Sequence, residues 1–290
     1  MHPRDYSAIS FPSLGIGVDP GRGFSLGPLN INFYGLIIAC GLLLAVLYGW
    51  KRAKQFGFRQ DDILDGVLWV APFAILCARV YYCVFQWQMY AHDPITVLYI
   101  WQGGLAIYGG VLGAVIGVTV FSLVKRIKLP ALLDLVSLGF LIGQSIGRWG
   151  NFFNREAFGE ATSSFLRMGL LNVTTGMWEY YHPTFLYESL WNATGFVLLH
   201  FLSKYRKYDG QIALGYVAWY GLGRALIEGL RLDSLMWGPF RVSQLLAAGS
   251  CTIAVVLLIV LQLRRHDPKN LFVNQQLPPQ PAEENAGPET

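Results

Sequence analysis

Charged side chains are scarce in this sequence. They make up 14% of its 290 residues, whereas hydrophobic residues make up 53%, and the mean hydropathy is +0.39. Several catalytic signatures are also missing: there is no phosphate-binding P-loop, no G-x-S-x-G nucleophile motif and no H-E-x-x-H zinc motif. These absences argue against hydrolysis by a recognised triad or zinc site, and no nucleic-acid-binding pattern is visible.

Cysteine offers little chemistry either. The four cysteines lie inside apolar segments, and none belongs to a C-x-x-C pair. They are Cys40, Cys77, Cys83 and Cys251. A buried cysteine usually behaves as a small apolar residue. The sequence therefore predicts no metal site and no cofactor.

Internal symmetry and a leader segment are missing as well. No repeat of 20–50 residues is evident, and no pair of inverted halves, which weakens a transporter interpretation. Residues 1–30 lack the basic start and apolar core of a cleavable signal peptide, so we expect them to form an outer loop.

Long apolar stretches are what the sequence does contain. Seven of them are long enough to be read as membrane spans. They run over residues 33–50, 64–85, 105–124, 132–146, 185–203, 212–227 and 242–263. The fold class predicted is an all-α polytopic membrane protein with seven transmembrane helices. The fourth stretch is short, so its end is expected to be broken or to dip into a cavity.

Basic residues fix the predicted orientation. Every lysine belongs to one of four groups, which follow the first, third, fifth and seventh spans. Because such groups mark cytoplasmic loops, the N-terminus is predicted outside and the C-terminus in the cytoplasm. We interpret these groups as determinants of topology. The domains predicted are a membrane domain at 1–268, with a periplasmic head at 148–183, and a disordered cytoplasmic tail at 269–290.

Glycines recur every four residues in the third and fourth spans. The two sets are Gly109, Gly113 and Gly117, and Gly139, Gly143 and Gly147. Such a face lets helices approach closely, and the alternative is a groove for an acyl chain.

Two arginines lie within the apolar segments. Arg148 ends the fourth span and Arg224 lies in the sixth. An ionised side chain near a membrane's centre costs about 2.5–3.5 kcal/mol or more, so these residues are expected to serve a purpose, most naturally binding a lipid phosphate. Tyr220, Arg224, Glu228 and Arg231 share one helical stripe. The alternative is an ion pair that only holds helices together.

A polar segment follows the fourth span. Arg148, Asn151, Asn154 and Glu156 cluster there, and the glycines at 147 and 150 argue against a regular helix. The asparagines can donate to phosphate or ester oxygens. An interfacial turn anchored by neighbouring aromatic residues is the alternative.

Other polar residues are predicted at the same outer level. They are Tyr34, Tyr108, His182, Tyr187, Glu188 and Asn192, with Arg79 in the outer half of the second span. Tyrosines at this level are often only interfacial anchors. Glu188 and Asn192 are expected to face the bundle, and Arg79 either to extend to the interface or to join the site.

Four segments together resemble the bacterial prolipoprotein diacylglyceryl transferase family. The segment G-R-W-G-N-F-F-N-R-E-A-F-G at 147–159 matches every specified position of that family's G-R-x-G-N-F-x-N-x-E-x-x-G signature. H-P-T-F-L-Y-E at 182–188, Y-G-L-G-R-A-L-I-E-G-L-R at 220–231 and N-F-Y-G at 32–35 are similar to further family elements. The resemblance extends over about residues 15–265.

The resemblance implies an activity and a location. The activity is transfer of the diacylglyceryl group of phosphatidylglycerol to the lipobox cysteine of a prolipoprotein, with release of glycerol phosphate and no cofactor. The location is the bacterial inner membrane. An anion or lipid transporter using the same arginines is the first alternative, and a lipid-binding scaffold without turnover is the second.

The residues so assigned fall into two groups. The predicted catalytic residues are Arg148, Arg224, Glu228, Tyr108 and His182. The predicted substrate-binding residues are Arg148, Asn151, Asn154, Glu156, Gly159, Tyr34, Glu188, Tyr220 and Arg231. Tyr108 departs from the family, which is expected to have a histidine there. A phenol with an unperturbed pKa near 10 is a poor base, so the general base is left unassigned.

Overall fold

Helices make up most of the computed structural model, which describes residues 6–27, 29–100, 103–232, 236–237 and 240–275. The long helices are α1 (Phe33–Arg52), α2 (Gln60–Phe85), α4 (Ile107–Val124), α5 (Leu129–Asn154), α6 (Thr184–Leu202), α7 (Gln211–Ile227) and α8 (Val242–Gln262). Two short helices, α3 (Trp87–Tyr90) and α9 (Phe272–Gln275), complete the α-helical elements of this described part.

Five of the long helices are long and apolar enough to cross a membrane: α1, α2, α4, α5 and α8. Their outer faces are apolar, and Leu68, Trp69 and Leu123 are each more than 70% exposed, as lipid-facing side chains would be. Helices α6 and α7 fall at the other two predicted spans. Glu188 and Asn192 make α6 more polar, and α7 has only 17 residues and carries Arg224. That these two helices also cross the membrane remains a prediction.

The prediction of an all-α fold is wrong, because the head contains β-structure. Strands β1 (Tyr6–Phe11), β2 (Ile16–Val18), β5 (Met168–Asn172) and β6 (Trp178–Tyr181) form an antiparallel sheet in the order β2-β1-β5-β6. Two hairpins are added by β3 (Gly23–Leu26) with β4 (Leu29–Asn32), and by β7 (Met236–Trp237) with β8 (Phe240–Arg241). The strands are too short for a clear alternating pattern in the sequence.

The sheet joins the N-terminal segment to the predicted head. Ile9 of β1 lies opposite Leu170 of β5, and both are fully buried. Beneath them, the hydroxyls of Tyr6 and Tyr181 donate to the Glu179 carboxylate at 2.8 and 2.6 Å. The head therefore includes residues 6–18 as well as part of 148–183.

Helix α5 is continuous where the sequence predicted a break. It runs to Asn154 and ends at Arg155, whose φ of +55° is left-handed. Gly150 lets the Tyr34 ring pack against α5, because a Cβ on it would lie 2.7 Å from that ring. A glycine that admits a neighbouring ring does not interrupt a helix, so the predicted non-helical backbone at 147–154 is not found.

The glycine face of α4 permits close helix packing. A Cβ on Gly109 would lie 2.6 Å from the Cys77 carbonyl of α2, and one on Gly113 would lie 2.9 Å from the Ala74 Cα. Gly143 of α5 differs: no described residue outside its own helix turn lies within 4 Å of a Cβ placed there. Close approach therefore accounts for the α4 set but not for the whole α5 set.

The end of the helix bundle opposite the head is closed by residues after α8. Phe272 of α9 is buried against Phe58, with ring centroids 5.4 Å apart, and the Asn270 carbonyl accepts from Lys128 at 2.9 Å. The predicted disordered tail therefore does not begin at 269. Residues 276–290, to which the rest of that prediction applies, lie outside the described part of the chain.

Candidate active site

Helix α6 is fixed to α5 by paired polar contacts. The Ser145 hydroxyl donates to the Ser189 carbonyl at 2.9 Å, and the Ser189 hydroxyl donates to the Ser145 carbonyl at 2.8 Å. The indole of Trp149 also donates to the Ser189 hydroxyl at 3.2 Å. Because Ser189 follows Glu188 directly, these bonds fix the position of that carboxylate relative to α5.

Helix α6 is fixed to α7 in the same reciprocal manner. Trp191 and Trp219 stack with centroids 4.5 Å apart, and each indole donates to the other residue's carbonyl at 2.9 Å. The rings fit because Gly195 and Gly223 face them: a Cβ on either glycine would lie within 2.3 Å of an indole nitrogen. The sequence analysis missed this pair, because tryptophan in a membrane segment usually indicates an interfacial anchor.

Three arginines meet on Glu188 within this frame. Arg148 from α5 forms an ion pair with the Glu188 Oε2 atom. Arg224 from α7 lies 3.4 Å from the Glu188 Oε1 atom, and Arg231 lies 3.1 Å from it. Arg224 also pairs with Glu228 at 2.6 Å. We call these three arginines and two glutamates the arginine cluster.

Among these five described side chains, three guanidinium groups face two carboxylates, which leaves one excess positive charge. Glu188 and Glu228 are buried, whereas the side chains of Arg148 and Arg224 stay 23% and 19% exposed. The Nε–H groups of these two arginines donate to no described residue. An accessible guanidinium with a spare donor is suited to binding an oxyanion.

Arg231 reaches the cluster by a route that the helical stripe did not predict. Helix α7 ends at Ile227, and a short 3-10 helix spans Glu228–Leu230. Arg231 follows in extended conformation, with ψ at 144°. It contacts Glu188 of α6 at 3.1 Å.

The two asparagines of the signature segment converge on Glu156. Asn151 and Asn154 each donate from Nδ2 to the Glu156 Oε1 atom at 3.1 Å. Arg148 Nη1 lies 3.4 Å from the Asn151 Oδ1 atom, which connects this group to the arginine cluster. The Tyr34 ring packs beside it on Gly150. These predicted residues are therefore assembled at one end of α5.

A small cleft adjoins the cluster between α6 and α7. It is lined by Glu188, Trp191, Asn192, Tyr220, Gly223, Arg224 and Ile227. Asn192 is buried, and its Oδ1 atom has no hydrogen-bond partner among the described residues. A buried amide without a partner is costly, so the cleft is suited to a polar group that can donate to it.

Three predicted site residues lie elsewhere or serve packing. His182 Nδ1 is 3.3 Å from the Tyr187 hydroxyl in the head. Gly159 is covered: a Cβ on it would lie 2.7 Å from the Leu230 carbonyl and 2.8 Å from the His182 Cβ. Tyr108, at the start of α4, is 66% exposed, and its hydroxyl bonds to no described residue. The structure does not bring Tyr108 into contact with the arginine cluster.

Two arginines that the sequence analysis passed over support the site. Arg241 donates to the Glu228 carbonyl and pairs with Glu160 at 3.1 Å. Arg155 is buried and pairs with Asp19 at 2.9 Å, which ties the N-terminal segment to the end of α5. Neither arginine lies within an apolar segment, so the cost of a charge inside the membrane could not identify them as functional residues.

Arg79 is placed away from the cluster and is held by a connecting segment. It is buried and donates from Nε to the Val97 carbonyl, from Nη1 to Gly103 and Gly104, and from Nη2 to Thr96, at 2.7–3.0 Å. All three of its nitrogens are engaged by carbonyls of the segment between α3 and α4. Arg79 therefore fixes that segment.

The long helices have apolar outer faces of the kind that contact lipid, and the arginine cluster is partly exposed and net positive. These features define a polytopic membrane protein that can hold an anionic group at one end of its bundle. Comparison with known proteins specifies this class further. Residues 22–260 match the family model described as prolipoprotein diacylglyceryl transferase. The chain belongs to that family.

Relatives named phosphatidylglycerol--prolipoprotein diacylglyceryl transferase cover most of the chain. The protein of Limosilactobacillus reuteri is 45% identical over 252 residues, which is 84% of this chain and 90% of the relative. That of Bacillus velezensis is 42% identical, covering 85% and 93%. That of Listeria welshimeri is 40% identical, covering 88% and 95%.

Proposed function

We propose that this protein transfers the diacylglyceryl group of phosphatidylglycerol to the lipobox cysteine of a prolipoprotein. The cysteine sulfur attacks the diacylglyceryl carbon that carries the phosphate. A C–S thioether bond forms, the C–O bond breaks, and glycerol phosphate leaves with the bonding electron pair. The thiol proton passes to a base or to water. The names and coverage of the relatives support this activity.

The observation that carries the proposal is the meeting of three arginines on Glu188. A lipid phosphate has the charge and the acceptor oxygens that the spare donors of Arg148 and Arg224 require. We assign Arg148 to the phosphate of the bound lipid. Arg224, held by Glu228 at 2.6 Å, stabilises the charge that grows on the leaving group.

The remaining residues position the substrate. Asn151 and Glu156 orient the headgroup beside Arg148, and Tyr34 lines the same end of α5. Tyr220 and Asn192 line the cleft next to Arg224. Glu188 holds the three guanidinium groups together against their mutual repulsion, so that they are organised before the lipid arrives.

Deprotonation of the thiol follows from the charge of the site. A free cysteine has a pKa near 8.5 and is mostly protonated at neutral pH. Nearby guanidinium groups favour the thiolate and lower that pKa. Tyr108 is exposed, and its hydroxyl bonds to no described residue and lies outside the arginine cluster, which supports this electrostatic role over a phenolic base.

We place this chemistry at the outer face of the bacterial inner membrane. The lysine groups predict a cytoplasmic location for the end of the bundle opposite the arginine cluster. Secreted precursors and the outer leaflet's phospholipid would then both reach the arginine cluster. The transporter alternative gains no support from the relatives, whose names describe a transferase.

The test is direct. Purified protein is incubated with phosphatidylglycerol and a lipobox peptide, and the peptide's mass gain of one diacylglyceryl group is measured. Wild type and Arg59→Gln, which loses an exposed arginine at the other end, should both form the thioether. Arg148→Gln and Arg224→Gln should form it at least about 100-fold more slowly. Absence of product with wild type would refute the transferase proposal.

A further inference from the structure

A second cavity opens at the end of the bundle opposite the arginine cluster. Its residues precede α7 or follow α8, about 20 Å along α7 from Arg224 at 1.5 Å per residue. The cavity has a volume of about 400 Å³. It is lined by Arg206, Lys207, Arg264, His266, Pro268 and Leu271, which we call the basic pocket.

The basic pocket holds three cations and no lining carboxylate. Among the described residues, Arg206, Lys207 and Arg264 form no ion pair. Arg206 donates instead to neutral carbonyls, those of Ser203 at 3.1 Å and Gln55 at 2.9 Å. Hydrogen bonds to carbonyls fix a guanidinium without neutralising its charge, so the pocket keeps a concentrated positive potential.

Three carboxylates lie close to the basic pocket in the structure or the sequence, and each accepts hydrogen bonds outside it. Asp267, between His266 and Pro268, accepts from the Lys269 N–H at 2.9 Å. Asp134 and Asp209 both attract Arg206 electrostatically. Asp134, however, accepts two backbone N–H groups at the start of α7, each at 2.8 Å. Asp209 pairs with Lys128 at 2.9 Å. None of the three lines the cavity, and none forms an ion pair with Lys207 or Arg264 among the described residues.

The walls of the basic pocket are fixed rather than loose. His266 stacks on Tyr208 with ring centroids 4.7 Å apart, and its Nε2–H donates to the Leu261 carbonyl at 2.6 Å. The Lys128 ammonium donates to the Asn270 carbonyl, which fixes the segment that forms the remaining wall. A positive cavity with organised walls resembles a binding site more than a set of scattered topogenic charges.

We propose that the basic pocket binds a phosphate-bearing anion and is a second phosphate site, distinct from the arginine cluster. Pockets of basic residues at the cytoplasmic ends of membrane helices are suited to acidic phospholipid headgroups. A soluble phosphate has the same recognition chemistry. The inference goes beyond the proposed function and does not depend on turnover.

The test compares two charge-matched double variants of the full chain. K207Q/R264Q removes two cations from the basic pocket, whereas K204Q/R265Q removes two exposed neighbours that do not line it. Each protein in neutral detergent is titrated with short-chain phosphatidylglycerol, phosphatidylcholine or inorganic phosphate, and bound molecules are counted by native mass spectrometry. All four side chains have ends outside the packed core, so both variants should fold.

We expect K207Q/R264Q to lose one phosphatidylglycerol, or to bind it about tenfold more weakly, while K204Q/R265Q binds like wild type. Phosphatidylcholine should show no such difference. The same contrast with inorganic phosphate would identify a soluble anion as the source, and its absence there would identify a lipid headgroup. If the two double variants bind all three probes alike, the second site does not exist.

Discussion

Arg79 and the arginine cluster use the same side chain in opposite ways. Arg79 gives all three of its nitrogens to backbone carbonyls of one connecting segment. Arg148 and Arg224 instead share Glu188, at contacts that reach 3.4 Å, and keep their Nε–H groups unengaged by described residues. A saturated guanidinium stabilises structure, whereas an incompletely satisfied and accessible one is available to a ligand.

The largest expected effect is on catalysis by the cluster. Arg224→Gln should lower thioether formation at least about 100-fold, since removing one preorganised donor to a transition-state charge costs 10²–10³ in rate. The measurement is turnover of a lipobox peptide by purified enzyme. Turnover is expressed per folded molecule, because the buried Glu228 carboxylate loses this ion pair and the variant should also be less stable. Normal turnover in this variant would show that Arg224 does not stabilise the leaving group.

Arg79→Gln should lower stability without abolishing turnover. Four carbonyl contacts are lost, and hydrogen bonds to a charged group contribute about 1.5–3 kcal/mol each when buried. We expect a clearly lower melting temperature and yield, with turnover per folded molecule within about threefold of wild type. A stable Arg79→Gln protein with no turnover would place Arg79 in the active site. The distinction between a structural Arg79 and a ligand-binding arginine cluster would then be wrong.

Gly223→Ala tests whether the tryptophan pair positions the cluster. The added methyl would lie 2.2 Å from the Trp191 indole nitrogen, so α6 and α7 must shift apart. Such overpacking costs about 1–3 kcal/mol, and we expect roughly tenfold slower transfer because Glu188 and Arg224 move with these helices. Gly143→Ala is the matched control, since nothing lies within 4 Å of its Cβ position. Equal rates in the two variants would mean that the tryptophan pair does not set the geometry.

The head should show a pH dependence that the bundle does not share. Hydrogen bonds from Tyr181, Tyr6 and Asn172 lower the pKa of Glu179 below its ordinary 4.5. The stability they provide is present above about pH 4.5 and is lost as pH falls through the lower folded pKa. The temperature at which the head unfolds, followed by hydrogen exchange of the backbone amides of β5 and β6, should therefore fall on acidification. In Glu179→Gln the unfolding temperature of the head should depend less on pH in the acidic range. An unchanged dependence would contradict the role given to Glu179.

The smallest effect is expected at the position that departs from the family pattern. Tyr108→Phe removes a hydroxyl that bonds to no described residue. Turnover and its pH profile should stay within about twofold of wild type, because the arginines rather than the phenol favour the thiolate. The pH–rate profile of His182→Ala is the companion measurement: a profile unlike that of wild type would identify this histidine as the base.

Intramembrane charge was the most informative signal in the sequence. It identified Arg148 and Arg224 because burial of a guanidinium is costly, and the motif spacing added Glu228 and Glu188. The seven apolar segments also predicted where the long helices lie. What the pattern could not give was the shared use of Glu188, since contacts between α5, α6 and the residues after α7 depend on tertiary packing.

The short β-strands and the paired contacts to backbone carbonyls could not be predicted from the sequence, for a different reason. Strands β1 and β5 are about 160 residues apart in sequence and carry only five or six residues each, too few for a reliable alternating pattern. The reciprocal bonds of Ser145 with Ser189, and of Trp191 with Trp219, use main-chain carbonyls that every residue has. Gly150 was misread as a helix breaker because the ring of Tyr34 that it admits comes from another helix.

The most direct test of the account is a structure of the protein with phosphatidylglycerol bound. The phosphate should lie within about 3 Å of guanidinium nitrogens of both Arg148 and Arg224, the distance of a charge-assisted hydrogen bond. A lipid phosphate bound elsewhere, with both arginines still turned only toward Glu188 and no lipid oxygen beside them, would contradict it.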